Sequence, residues 1–230
     1  MESNVHHGSE QRVWESLRSK LIELEADVPS PLQSYPSPER QLVAPPFEVN
    51  LAPWAIEIAK ELKSQFGDYV VLTVGALRYP TGELCGLVGA PMNPPVPYDE
   101  PIASDDEVAV TVADHLQVRS SYELQAELQL ANRLDSPVTV EAGTSIYGRI
   151  LDPATGEVVG GFMGARRLAL VSYEIKPTET ITIPLVVGTA SFKRSLGYSV
   201  PPGKWAIEAA LLLVGRGRRR TPPIPLTIVA

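Results

Sequence analysis

Between Glu123 and Ala131 the chain reads ELQAELQLA, an alternation of apolar and polar residues without a fault. Leu124, Ala126, Leu128 and Leu130 fall on one side, and Glu123, Gln125, Glu127 and Gln129 on the other. Successive side chains of a strand point to opposite faces, so this run predicts a strand with one core face and one wet face. Similar runs follow to the C-terminus: EVAVTVA before it, then PVTVEA, SIYGRILD, EVVGG, RLALVSYEI, TITIPLVVG, KWAIEAALLLVG and IPLTIVA. Their separators, NRLDSP, DPATGE, KPTET and VPPGK, are rich in turn formers. Short strands at this spacing, with no helix between them, predict an antiparallel immunoglobulin-like β-sandwich over 104–230. Trp205 opens one of the longest strands and is expected in the core.

The first hundred residues follow other rules. Residues 11–26 place Val13, Trp14, Leu17, Leu21 and Leu24 at helical spacing, which predicts an amphipathic helix within 1–27. It suits either packing on its own protein or a partner's groove. Residues 28–46 carry Pro29, Pro31, Pro36, Pro38, Pro45 and Pro46. Proline removes backbone donors and disfavours helix at the residue before it, so an extended linker without sheet is expected there. Its PSP repeats suit a spacer or a ligand for a Pro-recognising module. FEVNL, then PWAIEIAKELKSQF closed by Gly67, then DYVVLTVGALRYP predict strand, helix and strand. Trp54, Ile58, Leu62 and Phe66 would share one helix face, and a right-handed crossover would make the two strands parallel. With the irregular, Pro-rich stretch after it, this small α/β unit is expected over 47–103. The whole is thus α+β.

The stretch from about Leu124 to Val214 resembles the intracellular proteinase inhibitor family of bacilli and related immunoglobulin-like modules. LQLANRLDSPVTV, YGRILDPATGEVV and the Pro202-Gly203-Lys204-Trp205 entry to a long strand carry the resemblance. It implies the sandwich fold and, as one alternative, proteinase inhibition. The chain departs from the family after Val159, where GGFMGARR stands in place of a Trp-rich segment, so no inhibitory residue carries over. The 47–80 unit resembles an uncharacterised actinobacterial family, which implies no chemistry.

The formal net charge of −7 argues against general nucleic-acid binding, which needs a basic surface. The lone Cys85 offers no internal disulfide. MESNVHHGSEQRVW has no basic start followed by an apolar stretch, so no signal peptide is expected. The longest apolar run, Ala209 to Val214, is too short to span a bilayer, so a cytoplasmic protein without membrane insertion is expected.

Catalytic and cofactor motifs are lacking. His6, His7 and His115 do not form a metal-ligand pattern, so neither a metal nor a cofactor is expected. Asp152 and Glu157 in DPATGE suit a hairpin turn better than a calcium loop. An enzyme would use Cys85, with His115 as its base, or loop carboxylates at the junction of the two halves, and no spacing brings Cys85 and His115 together. SDDE at 104–107 reads as a solvated strand entrance. GGFMG, Gly160 to Gly164, lacks a Walker lysine and suits a bulge, or an anion site with the arginines after it. The sharpest charge feature is GRGRRR: Arg216, Arg218, Arg219 and Arg220 between two strands of an acidic protein. A hairpin tip bearing four arginines suits a solvated turn, or a docking site for an acidic protein or phosphate. The function expected is a non-enzymatic protein-binding module using these arginines.

Overall fold

The computed structural model describes residues 3–34, 45–85, 100–101, 108–112, 115–164 and 170–230. It is mostly β, with two α-helices and two single-turn 3-10 helices among the described residues. The N-terminal unit consists of α1 (Ser3–Glu25), β1 (Leu32–Ser34), β2 (Phe47–Leu51), α2 (Ile56–Phe66), β3 (Val70–Val74) and β4 (Leu77–Tyr79). β2 and β3 pair in parallel across α2, in the predicted crossover. Trp14, Leu17, Leu21 and Leu24 of α1 are buried with Val49, Leu51, Leu62 and Leu72. Trp14 lies 4.9 Å from the Phe47 ring, and Lys20 bridges to Glu61 of α2 at 3.0 Å. The apolar face of α1 is therefore spent on its own protein.

Three local expectations are corrected. Leu32–Ser34 pairs with β2 despite its proline-rich surroundings, because these three residues keep their donors and sit at a sheet edge, where neighbouring prolines do no harm. α2 starts at Ile56 rather than Pro53, so Trp54 precedes the helix and its buried residues are Ala59, Leu62 and Phe66. The stretch after Asp68 is a hairpin, not one strand: β3 and β4 pair antiparallel through a two-residue turn. Gly75, with φ of 59°, supplies the first turn position that such hairpins require.

The second unit is built from β5 (Glu100–Pro101), β6 (Val108–Val112), β7 (Leu116–Arg119), β8 (Glu123–Asn132), β9 (Val138–Gly143), β10 (Ile146–Leu151), β11 (Val158–Gly161), β12 (Leu170–Ile175), β13 (Thr180–Gly188) and β14 (Ala190–Ser191). β15 (Gly203–Glu208), β16 (Ala210–Leu213), β17 (Gly217–Arg220) and β18 (Ile224–Val229) complete it. One sheet runs β6-β8-β13-β10-β15-β18-β7, with β11 and β14 attached beyond β10. The other runs β12-β9-β16-β17-β5. Leu128, Leu130, Ile183, Leu185 and Ile207 of the first sheet share a core with Val140, Ile175, Leu211 and Leu213 of the second. The two sheets thus form a sandwich.

The expected purely antiparallel arrangement is corrected to a mixed one. β10 pairs β13, β18 pairs β7, and β17 pairs β5, all in parallel. β10 and β13 are separated in sequence by β12 in the opposite sheet, and that long return permits parallel pairing. β5 lies before residue 104, so the sandwich takes a strand from the stretch assigned to the first unit. Trp205 is half-buried at the edge of the core and donates its indole N–H to the Pro201 carbonyl at 2.9 Å.

The units meet along 190–198. A Cβ on Gly75 would lie 3.2 Å from the Tyr198 carbonyl oxygen and 3.3 Å from Ala190 Cβ. Tyr79 and Tyr198 face each other at 6.2 Å.

Candidate functional site

The arginines do not share one hairpin tip. The turn is Val214–Arg216, and Arg218, Arg219 and Arg220 belong to β17. In the β16–β17 register Arg218 lies opposite Leu212, Arg219 opposite Leu211, and Arg220 opposite Ala210. Directly opposed residues share a face. Leu211 is buried, so Arg219 belongs to the inner side, while Arg218 and Arg220 belong to the outer side. All four are half-buried, and each has partners within the fold.

Arg220 has a distinct task. Its Nη1 lies 3.5 Å from Oε2 of Glu208, whose Oε1 lies 2.7 Å from Nη2 of Arg149. Arg149 and Glu208 face each other across β10 and β15, and both side chains are only 6% exposed. The close Arg149–Glu208 approach is off the hydrogen-bond direction, so charge rather than a well-aligned hydrogen bond holds it. Neither residue stands out in a motif. The available signal is a charged residue inside an apolar run, in IYGRIL and in KWAIEAALLLV. A buried charge needs a partner, and each supplies the other's.

Leu212 and Val214 are 39% and 49% exposed beside Arg218. On β12 of the same sheet Leu170 is 66% exposed. Its parity opposes that of the inward Val171, Tyr173 and Ile175, so it faces outward like Leu212. This outer face thus combines exposed apolar side chains with a border of arginine.

The other residues singled out by sequence are scattered. Cys85 is buried, and its backbone N–H bonds to the Ala76 carbonyl at 2.9 Å. His115 is exposed ahead of β7. DPATGE is a hairpin turn: Gly156 has φ of 70°, and Asp152 Oδ1 accepts the Ala154 N–H at 2.8 Å. That carboxylate organises its own turn. The glycines of GGFMG serve close packing around a β-bulge at Val159, where the β10–β11 register shifts. A Cβ on Gly160 would lie 2.4 Å from Val200 Cγ2 and 2.5 Å from the Ala190 oxygen. Arg166 and Arg167 and the 104–107 run lie outside the described residues, as does most of the proline-rich stretch around 94–101. His6 and His7 fall on α1, with no side chains described. Among the described residues no group of three metal-ligating side chains converges, and no helix is long and apolar enough to cross a membrane.

Two clefts stand out among the described residues. One of about 680 Å³ lies between α1 and the end of α2, lined by Arg12, Ser16, Gln65, Asp68 and Tyr69 among others. The second, of about 380 Å³, lies on the outer face of the larger sheet, at Glu123, Gln125, Tyr147 and Phe162. Cys85 and His115 line neither. Burial pushes the Tyr198 phenol up, with Tyr79 adding to the effect.

No family model matches the chain, and no curated protein matches it. The resemblance to proteinase inhibitors therefore has no family evidence behind it. Among solved structures the chain is similar to the cupredoxin domain of amoB from Nitrosocaldus yellowstonii. That match has 11% identity over 47% of this chain and 56% of that one, with a TM-score of 0.25. It is also similar to the ASH/PapD-like domain 7 of human CEP192, at 10% identity over 60% of this chain and 93% of that one, with a TM-score of 0.26. At such scores neither neighbour carries an argument about function.

Proposed function

We propose that the protein is a non-enzymatic protein-binding module. In this reading its sandwich is of immunoglobulin-like type, and it docks a partner on the outer face of the sheet holding β16 and β17. The observation that carries the reading is the exposure of Leu212 and Val214 beside Arg218, with Leu170 exposed on the same sheet face two strands away, beyond Glu141 of β9. Apolar side chains grouped outside a core mark interaction surfaces, and arginine is enriched where proteins meet. The partner expected has an apolar centre and an acidic rim, since guanidinium groups pair with carboxylates. A cytoplasmic setting belongs to the proposal, because a single cysteine needs no oxidising compartment.

The test compares capture from native lysate by the wild-type protein, by Leu212→Asp, and by Arg216→Ser/Arg218→Ser, at two salt concentrations. Arg220 is left in place because of its contact with Glu208. A partner held by the wild type, lost by both variants and weakened by salt supports the reading. Partners retained by both variants at both salts refute it, provided the variants melt like the wild type.

A further inference from the structure

The cleft on the outer face of the larger sheet is built from three adjacent strands. Glu123 of β8 lies opposite Gly188 of β13, and Gln125 opposite Val186. Val186 in turn pairs with Tyr147 of β10. Gly188 has no side chain, and the chain at Phe162 takes that space. A Cβ there would lie 2.6 Å from Phe162 Cα. This seating brings the Phe162 ring to 4.8 Å from the Tyr147 ring, at an interplanar angle of 27°. Thr144 and Ser145, between β9 and β10, close the other side. The cleft of about 380 Å³ falls in the size range of small-ligand sites.

Among the described residues its lining is acidic and aromatic. It holds one carboxylate, the oxygens of Gln125, Thr144 and Ser145, and two aromatic rings, with no cationic side chain among the described residues lining it. Glu123 keeps contact with solvent, yet the cleft walls desolvate its carboxyl and push its pKa up. No hydrogen bond or ion pair to this carboxyl is present among the described residues. A guest that only donates and carries positive charge would meet every one of these groups favourably. A primary ammonium has three donors and no acceptor. Aromatic faces attract such a cation as well.

We propose that this cleft is a binding site for an alkylammonium group, with Glu123 as its counter-charge and the stacked Tyr147–Phe162 pair as an apolar wall for its methylenes. The group could belong to a free amine or to a lysine side chain, which share this chemistry. The site is separate from the arginine-bordered face and does not depend on it.

The experiment follows backbone amide shifts by NMR while n-butylammonium chloride is added at constant ionic strength. n-Butanol serves as the neutral control of the same shape. Saturable shifts at Glu123, Gln125, Ser145 and Tyr147 are expected for the amine. Affinity should be about tenfold weaker for Glu123→Gln, as befits loss of one charge-assisted contact. It should also fall as pH drops through the raised Glu123 titration, because the protonated carboxyl loses its charge. N-acetyl-lysine amide in a parallel titration separates the sources: equal binding assigns a lysine side chain, and exclusion assigns a free amine. Equal affinity of wild type and Glu123→Gln, equal response to butanol, or no saturable shift at these residues overturns the proposal.

Discussion

Replacing Glu208 with leucine removes a carboxylate that sits between Arg149 and Arg220. Arg149 is 6% exposed and would lose a contact of 2.7 Å, while Arg220 is 32% exposed and can turn toward water. Breaking a buried pair by deleting one partner costs about 3–5 kcal/mol. A chain of this length shifts its melting temperature by roughly 2–4 °C per kcal/mol, so Glu208→Leu should melt about 6–20 °C lower. Arg149→Met should cost less, about 2 kcal/mol, because Glu208 keeps Arg220 at 3.5 Å. The double variant should be more stable than Glu208→Leu alone, since it also removes the buried guanidinium that lost its 2.7 Å contact to Glu208. Urea unfolding of the wild type, both single variants and the double variant closes a thermodynamic cycle. If Glu208→Leu loses less than about 1 kcal/mol, or if the two single costs simply add, the charge argument fails.

Gly160→Ala should destabilise by about 1–3 kcal/mol, because its Cβ would overlap Val200 and the Ala190 oxygen, and a melt of the variant checks this. Leu21→Ala should cost about 2–5 kcal/mol by urea unfolding, as Leu21 is fully buried between α1 and the first sheet; a neutral result would detach α1 from the fold. Glu123→Gln should raise the melting temperature at neutral pH, where the desolvated carboxylate of the wild type is ionised at a cost. That gain should shrink as pH falls through the raised folded-state titration. It should vanish below the ordinary glutamate value, where both states are protonated; a gain that is independent of pH would contradict the cause.

Most strands of the sandwich are legible in the sequence because one face of each is buried, which writes period two into the residues. The run from Trp205 to Leu213 shows the limit of that signal. Ile207, Ala209 and Leu211 all belong to the core while the chain passes from one sheet to the other at Ala209, and Ala206 and Glu208 between them are buried too, so nothing in the pattern marks the crossing. Alternation records which side is dry and leaves out which strand is the neighbour. The β3–β4 hairpin is hidden for a related reason. β3 is largely apolar and β4 is only three residues long, Leu77–Tyr79, so Gly75 alone marks the reversal. The arginines of β17 are conspicuous by composition, yet their division of labour depends on register against Leu211, Leu212 and Glu208. Arg149 and Glu208 lie 59 positions apart by their numbering, and nothing local announces that they meet. The amine-sized cleft is equally non-local, since its walls come from β8, β13, β10 and the loop after β11.

The pairing of Glu100–Pro101 with β17 bears on any attempt to divide the protein. A fragment cut at residue 104 would keep every long strand of the sandwich and lose this short one. β17 would then become the rim of its sheet, with a row of backbone groups open to a neighbouring molecule. Such rims seed association between copies, and charged side chains are among the devices that oppose it. Three consecutive arginines already stand on that strand. In the intact chain they border a covered strand, and in the fragment the same residues would act as the guard of an open one.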